Sequence, residues 1–167
     1  MSQPKIDFVI TWVDGTDPKW LAEKLRTLQE VDSLETQKTD SSDLRFRNDF
    51  DFLRFWFRGV EKFAPWVNHI FFVTYGHTPN WLNLAHPKLK IIRHEDFIPQ
   101  EFLPTFNSHT IENHLHLIPG LSEYFVYFND DFYLLKATKP TDFFIKASSK
   151  KLAKNEIQFK ASAETYL

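Results

Sequence analysis

Ile6-Asp-Phe-Val-Ile-Thr-Trp-Val13 runs straight into Asp14-Gly15-Thr16-Asp17 and then Pro18. A stretch so rich in β-branched and aromatic side chains, closed by Asp-Gly, reads as a buried strand entering a turn. Pro18, after Asp17, is placed like the first residue of a helix, and Trp20, Leu21, Leu25 and Leu28 repeat at helical spacing to about Glu30. The chain therefore opens as strand, short loop, helix.

The same grammar continues outward. Residues 31–43 are polar and aperiodic and read as a surface loop. From Asn48 to Phe63, apolar positions at 50, 53, 56, 57, 60 and 63 predict a helix with a wide buried face, stopped by Pro65. Asn68 to Tyr75 is a second strand closed by Gly76, and Lys88 to Arg93 a short third one followed by His94-Glu95-Asp96. A helix is expected over 107–117, ending before Pro119-Gly120, and then a fourth strand, Tyr124-Phe-Val-Tyr-Phe128, stopping at Asn129-Asp130-Asp131. Strands alternating with helices predict an α/β fold with a mainly parallel sheet and flanking helices. Residues 1–145 form the expected domain; 146–167 is a Lys-rich tail, a weak helix or frayed.

Composition narrows the function. Twenty Lys and Arg against 22 Asp and Glu give a net charge of −2, which lacks the positive excess usual in duplex nucleic-acid binders. The absence of Cys removes a disulfide framework, a thiolate zinc site and a Cys nucleophile together. The longest apolar runs fall short of the ~18 residues a membrane span needs, and the start is no signal peptide, so a soluble intracellular domain is expected. Eighteen Phe and five Trp imply a well-filled core. Only four Gly occur, and three of them fall at predicted element ends, where a positive φ or close backbone approach is expected.

In an open parallel sheet, ligands bind beyond the carboxyl ends of the strands. Three strands end in polar groups suited to that crevice: Asp14-Gly15-Thr16-Asp17, Thr74-Tyr75-Gly76-His77 and Asn129-Asp130-Asp131. The last offers adjacent hard oxygen donors for Mg²⁺ or Mn²⁺ against a diphosphate. Asn-Asp-Asp also suits a plain turn, but apolar sequence on both sides, including Phe132-Tyr-Leu-Leu135, favours a buried position. Arg45 and Arg47 stand at a loop–helix junction where guanidinium groups suit phosphate oxygens; Arg54 and Arg58 share a helix face and read as solvated. His109, Glu112 and His116 lie on one face of the predicted 107–117 helix, which is not a His-Glu-x-x-His zinc pattern. Small polar side chains, Asn107 and Ser108 among them, cluster ahead of that helix, a place that accepts an anion or a sugar hydroxyl.

Taken together, several segments resemble the Stealth family of sugar-phosphate transferases. Ile6 to Pro18 is similar to its first conserved region. Arg45-Phe-Arg47, Phe55 to Val67, His94-Glu-Asp96, Pro104 to Glu112 and Phe125-Val-Tyr-Phe-Asn-Asp-Asp131 resemble its second region, in order. The resemblance covers about residues 6–145, and nothing beyond resembles the family's third and fourth regions. It implies a nucleotide-diphosphosugar-transferase-like fold and the transfer of a hexose 1-phosphate, typically N-acetylglucosamine 1-phosphate, from a UDP-sugar such as UDP-GlcNAc to a glycan hydroxyl. The setting implied is capsule or exopolysaccharide synthesis in the cytoplasm, with peripheral association with the synthesis complex and no nucleic acid.

Carried over by motif, Asp14, Gly15 and Asp17 line the nucleotide side. Asp130 and Asp131 hold Mg²⁺ or Mn²⁺, with Asn129 beside them. Arg45 and Arg47 steady phosphate charge, while Asn107, Ser108, His109 and Glu112 shape the sugar pocket. Asp14, Asp130, Asp131 and His109 are the expected catalytic set. Two alternatives stand beside this: a metal-dependent glycosyltransferase releasing UDP, and a truncated, non-catalytic nucleotide-sugar-binding remnant.

Overall fold

A computed structural model describes residues 4–32, 52–145 and 158–159. Four strands, β1 (Ile6–Thr11), β2 (Ile70–Thr74), β3 (Leu89–Arg93) and β4 (Tyr124–Phe128), form one sheet in the order β3-β2-β1-β4, with every pairing parallel. The α/β expectation is met. Helices α1 (Pro18–Asp32), α2 (Leu53–Phe63), α3 (Ser108–His114) and a single turn, α4 (Pro140–Phe143), accompany it.

Alternation along the central strands explains the two layers. Phe8, Ile10, Ile70 and Phe72 point to one face, where Leu53, Trp56 and Val60 of α2 cover them together with Phe128. Val9, Phe71 and Val73 point to the other, against Phe97, Ile98, Leu115 and Ile118. A strand buried on both sides reads as a continuous apolar run, as β2 does over Ile70-Phe-Phe-Val73 and β1 over Phe8-Val-Ile10.

One polar residue interrupts β1. Asp7 is fully buried. Its Oδ1 accepts the Asn68 side-chain amide at 2.8 Å and the His69 backbone N–H at 3.0 Å, and its Oδ2 accepts the Ser122 N–H at 2.8 Å. A single carboxylate thus ties the start of β1 to the segments that lead into β2 and β4.

The chain after β4 returns over α2. The Thr138 N–H donates to Phe63 O at 2.8 Å, and Trp66 Nε1 donates to Thr138 O at 2.7 Å. The return passes close to Gly59, where a Cβ would stand in van der Waals contact, 3.4 Å from the carbonyl of Leu134.

Several boundaries differ from expectation. The helix expected over 48–63 is described from Leu53, and residues 48–51 lie outside the described residues. The helix expected over 107–117 is α-helical only over Ser108–His114, then tightens to a 3₁₀ turn over Leu115–Leu117 that seats Leu115 and Ile118 in the core. Positive φ occurs at Gly76 (124°) and Gly120 (77°), whereas Gly15 sits in a turn without it. Of the expected loop over 31–43, residues 31–32 close α1 and the rest falls outside the described residues. So does nearly all of the Lys-rich tail, except that Gln158–Phe159 pairs antiparallel with Phe144–Ile145, a strand contact and not helix.

Removing Trp56, which is buried beneath α2 against Phe57 and Phe128, with Trp56→Ala should cost about 3–5 kcal/mol in chemical denaturation. Asp7→Ala strands three N–H donors at the base of the sheet and should cost at least about 3 kcal/mol in the same measurement. A variant as stable as the parent would remove either side chain from the role assigned to it.

Candidate functional site

Because the four strands are parallel, their carboxyl ends share one rim. Ile10 pairs with Phe128 and Thr11 with Val73, so the Asp14 loop, the Tyr75–His77 segment and the Asn129–Asp131 turn leave neighbouring strands on the same side of the sheet. The sequence-predicted acids of β1 and β4 are therefore brought to one edge.

The acidic couple is a turn, not a buried site. Phe132 N–H closes on Asn129 O at 3.2 Å, and Asp130 and Asp131 are exposed. The apolar residues that follow do not cover it, since Phe132 is 61% and Leu135 86% exposed. Partial desolvation, and then the Asp131 charge beside it, raise the Asp130 carboxyl above its ordinary value. Neither carboxylate forms an ion pair with another described residue. No cluster of three or more His, Asp or Glu able to hold a metal occurs among the described residues. Two adjacent, unneutralised carboxylates still fit Mg²⁺, which commonly takes one or two protein oxygens and completes its shell with water and substrate phosphate.

Next to the couple lies a tyrosine at the centre of a polar cluster. The Tyr127 hydroxyl faces Asn129 Oδ1 at 2.6 Å and Glu112 Oε1 at 3.3 Å, with the Thr11 hydroxyl 3.1 Å away. Burial, and then the neighbouring Glu112 and Asp130 charges, push its pKa up to about 12, so it stays protonated and able to donate. Glu112 Oε2 lies 3.8 Å from His109 Nδ1. Asn129 and Glu112 are thus linked through one phenol, and His109 stands beside the far oxygen of Glu112. Asn107 caps α3, accepting the His109 N–H at 2.9 Å, and Ser108 is exposed at the first helical position. His116, expected on the His109 face, belongs to the 3₁₀ turn instead and is exposed.

The Asp14 loop is held at several points. Asp14 Oδ1 accepts the Thr16 N–H at 2.8 Å and the Thr16 hydroxyl at 2.6 Å, and Asp17 Oδ1 caps α1 through the Trp20 N–H at 2.8 Å. The Asp14 N–H donates to His77 Nε2 at 2.7 Å. His94, at the end of β3, is buried; burial and then the nearby His77 bring its pKa down to about 4. Arg45 and Arg47 lie outside the described residues. Arg54 is only half exposed, its guanidinium 5.2 Å from the centre of the Trp81 ring, which departs from the expected solvated position. A groove of about 470 Å³ between α2 and residues 81–89 contains none of the rim carboxylates.

Residues 4–32 match Stealth protein CR1, conserved region 1, and residues 45–152 match Stealth protein CR2, conserved region 2. The chain belongs to the Stealth family. The second match reaches into the Lys-rich segment, past the expected limit at residue 145. This Stealth chain is 51% identical over 139 residues to the capsular polysaccharide phosphotransferase WcwK of Streptococcus pneumoniae, covering 83% of the chain and 41% of that protein. It is 47% identical over 148 residues to the capsular polysaccharide phosphotransferase eps5J of Streptococcus thermophilus (89% and 61%), and 48% identical over 140 residues to the receptor polysaccharide phosphotransferase WefC of Streptococcus oralis (84% and 41%). The chain spans about two-fifths to three-fifths of the length of these relatives. Among the described residues no helix of this Stealth chain is long and apolar enough to cross a membrane.

Sequence reading missed Tyr127 and His94 as rim residues and gave His77 no partner. Tyr127 looked like one more strand aromatic; the signal was its place two residues before Asn129, on the same side of the strand. His94 has a measurable consequence. Its pKa is near 4 when folded and 6.5 when free, so both states are neutral above about pH 7. As pH falls from 6.5 towards 4 the unfolded chain binds a proton that the folded chain refuses, and stability declines until both are protonated. Urea denaturation at pH 7 and pH 5 should show a His94-dependent loss of about 2 kcal/mol, absent in His94→Leu. An equal loss in parent and variant would mean that His94 is not held neutral.

Proposed function

We propose that this chain carries the donor-binding part of a sugar-1-phosphate transferase that moves a hexose 1-phosphate from a UDP-sugar of the UDP-GlcNAc type to a glycan hydroxyl in capsule or exopolysaccharide synthesis. The observation that carries the reading is the meeting of Asp14 and the Asp130–Asp131 couple at one rim of the sheet, in a chain whose relatives bear the name of polysaccharide phosphotransferases.

The bond made is between the acceptor oxygen and the β-phosphorus; the bond broken is the bridge to the α-phosphate. UMP leaves with the bridging oxygen, and the sugar keeps its bond to the transferred phosphate. Asp130 and Asp131 would hold Mg²⁺ or Mn²⁺, which when bound supplies charge neutralisation for the diphosphate. Asp14 and Gly15 receive the nucleotide. His109, braced by Glu112, takes the acceptor proton, and Tyr127 keeps Glu112 and Asn129 in register. Arg45 and Arg47 are the cations proposed for the phosphate oxygens. Peripheral association with a synthesis complex in the cytoplasm accords with this substrate pair.

With UDP-GlcNAc, Mg²⁺ and an oligosaccharide acceptor, the chain should release UMP. Release of UDP would reassign it to glycosyl transfer, and metal-dependent binding without turnover would reduce it to a donor-binding module. Asp131→Ala should abolish metal-dependent binding of UDP-GlcNAc in calorimetry without lowering the melting temperature, because it also relieves like-charge repulsion. Unchanged binding would remove the metal role from the pair.

A further inference from the structure

We propose that His77 is a positioning residue whose neutral imidazole fixes the Asp14–Asp17 loop in the shape that receives the donor nucleotide, an inference that rests in part on the donor site proposed above. The loop is gripped from two sides. Thr16 satisfies the Asp14 carboxylate from within, at 2.8 and 2.6 Å, and His77 reaches across from the end of β2 to accept the Asp14 backbone N–H at 2.7 Å. The crossing follows from local backbone. Gly76 turns at φ 124°, its N–H held by Thr74 Oγ1 at 2.9 Å, and the chain reverses so that the next side chain points back at β1.

The ring is also held. It meets Trp12 edge-on at 5.3 Å and leans on Tyr75 at 6.2 Å. Accepting at Nε2 requires that the proton sit on Nδ1. Nδ1 is buried without a hydrogen-bond partner, and the Asp17 carboxylate stands 4.0 Å off, beyond hydrogen-bond reach. A buried donor left unpaired is costly, so a purely packing position would be better served by Phe. The bond at Nε2 is what the imidazole provides and Phe does not. It joins β1 and β2 at the rim, where Thr11 and Val73 are the last paired residues.

Nitrogen NMR of the unsubstituted chain should show His77 as the Nδ1–H tautomer, with the Asp14 amide proton shifted downfield by its bond to the ring. His77→Ala should weaken UDP-GlcNAc binding in the presence of Mg²⁺ by about tenfold. His77→Gln, whose carbonyl oxygen replaces Nε2 as acceptor, should restore it to within about threefold. An Nε2–H tautomer overturns the proposal, as does a Gln variant as weak as Ala or an Ala variant as tight as the parent. If His77→Ala does not fold, the tautomer and the Gln variant decide. If the unsubstituted chain does not bind UDP-GlcNAc, the donor reading fails, while the tautomer and the Asp14 amide shift still decide the bond.

Discussion

A buried carboxylate sets the geometry on which the rest of the molecule depends. Asp7 is fully buried at the second position of β1, where an unpaired charge would be intolerable, and it is tolerated because three N–H groups converge on it from the approaches to β2 and β4. Those bonds act at the amino ends of the strands. Their effect is felt at the carboxyl ends, because parallel strands started in a fixed register must also finish in one. Ile10 opposite Phe128 and Thr11 opposite Val73 are the far readout of Asp7.

At the finishing edge the polar side chains spend most of their bonds on each other. Asp17 and Asn107 are helix caps, Asp14 closes a turn around Thr16, and Tyr127 gathers Thr11, Glu112 and Asn129. Asp130 and Asp131 are different: they are exposed, close to one another and without a cationic partner among the described residues. The rim thus pins its loops internally and leaves its two adjacent acids facing outward.

Much of this was legible in the sequence, for identifiable reasons. The fourth strand, Tyr124–Phe128, lies where the apolar run placed it, and Asp17-Pro18 marked the start of α1 because cap and first-turn preferences are local. The acids at the strand ends were found because strand order in a parallel sheet sends every carboxyl end to one side. The apolar run after Asn129–Asp131 predicts a cover that the structure does not supply, because Phe132 and Leu135 face outward and only Tyr133 and Leu134 turn in towards the core. Of the three glycines expected to be special at element ends, Gly76 and Gly120 have a positive φ and Gly15 does not. Asp14 with His77 and Tyr127 with Glu112 could not be read at all, since each pair joins residues far apart in the chain through side-chain directions that only tertiary packing fixes.

The contact between Gly59 and the Leu134 carbonyl has a mechanical meaning. The strap that leaves the acidic turn is laid flat in a notch on α2 and buttoned down at its end by Thr138 and Trp66. A methyl group added there would fill the notch to ordinary contact with the Leu134 carbonyl, so the strap and the turn upstream keep their seat. The segment downstream of the two carboxylates is thereby moored to α2 by backbone contact as well as by side-chain burial.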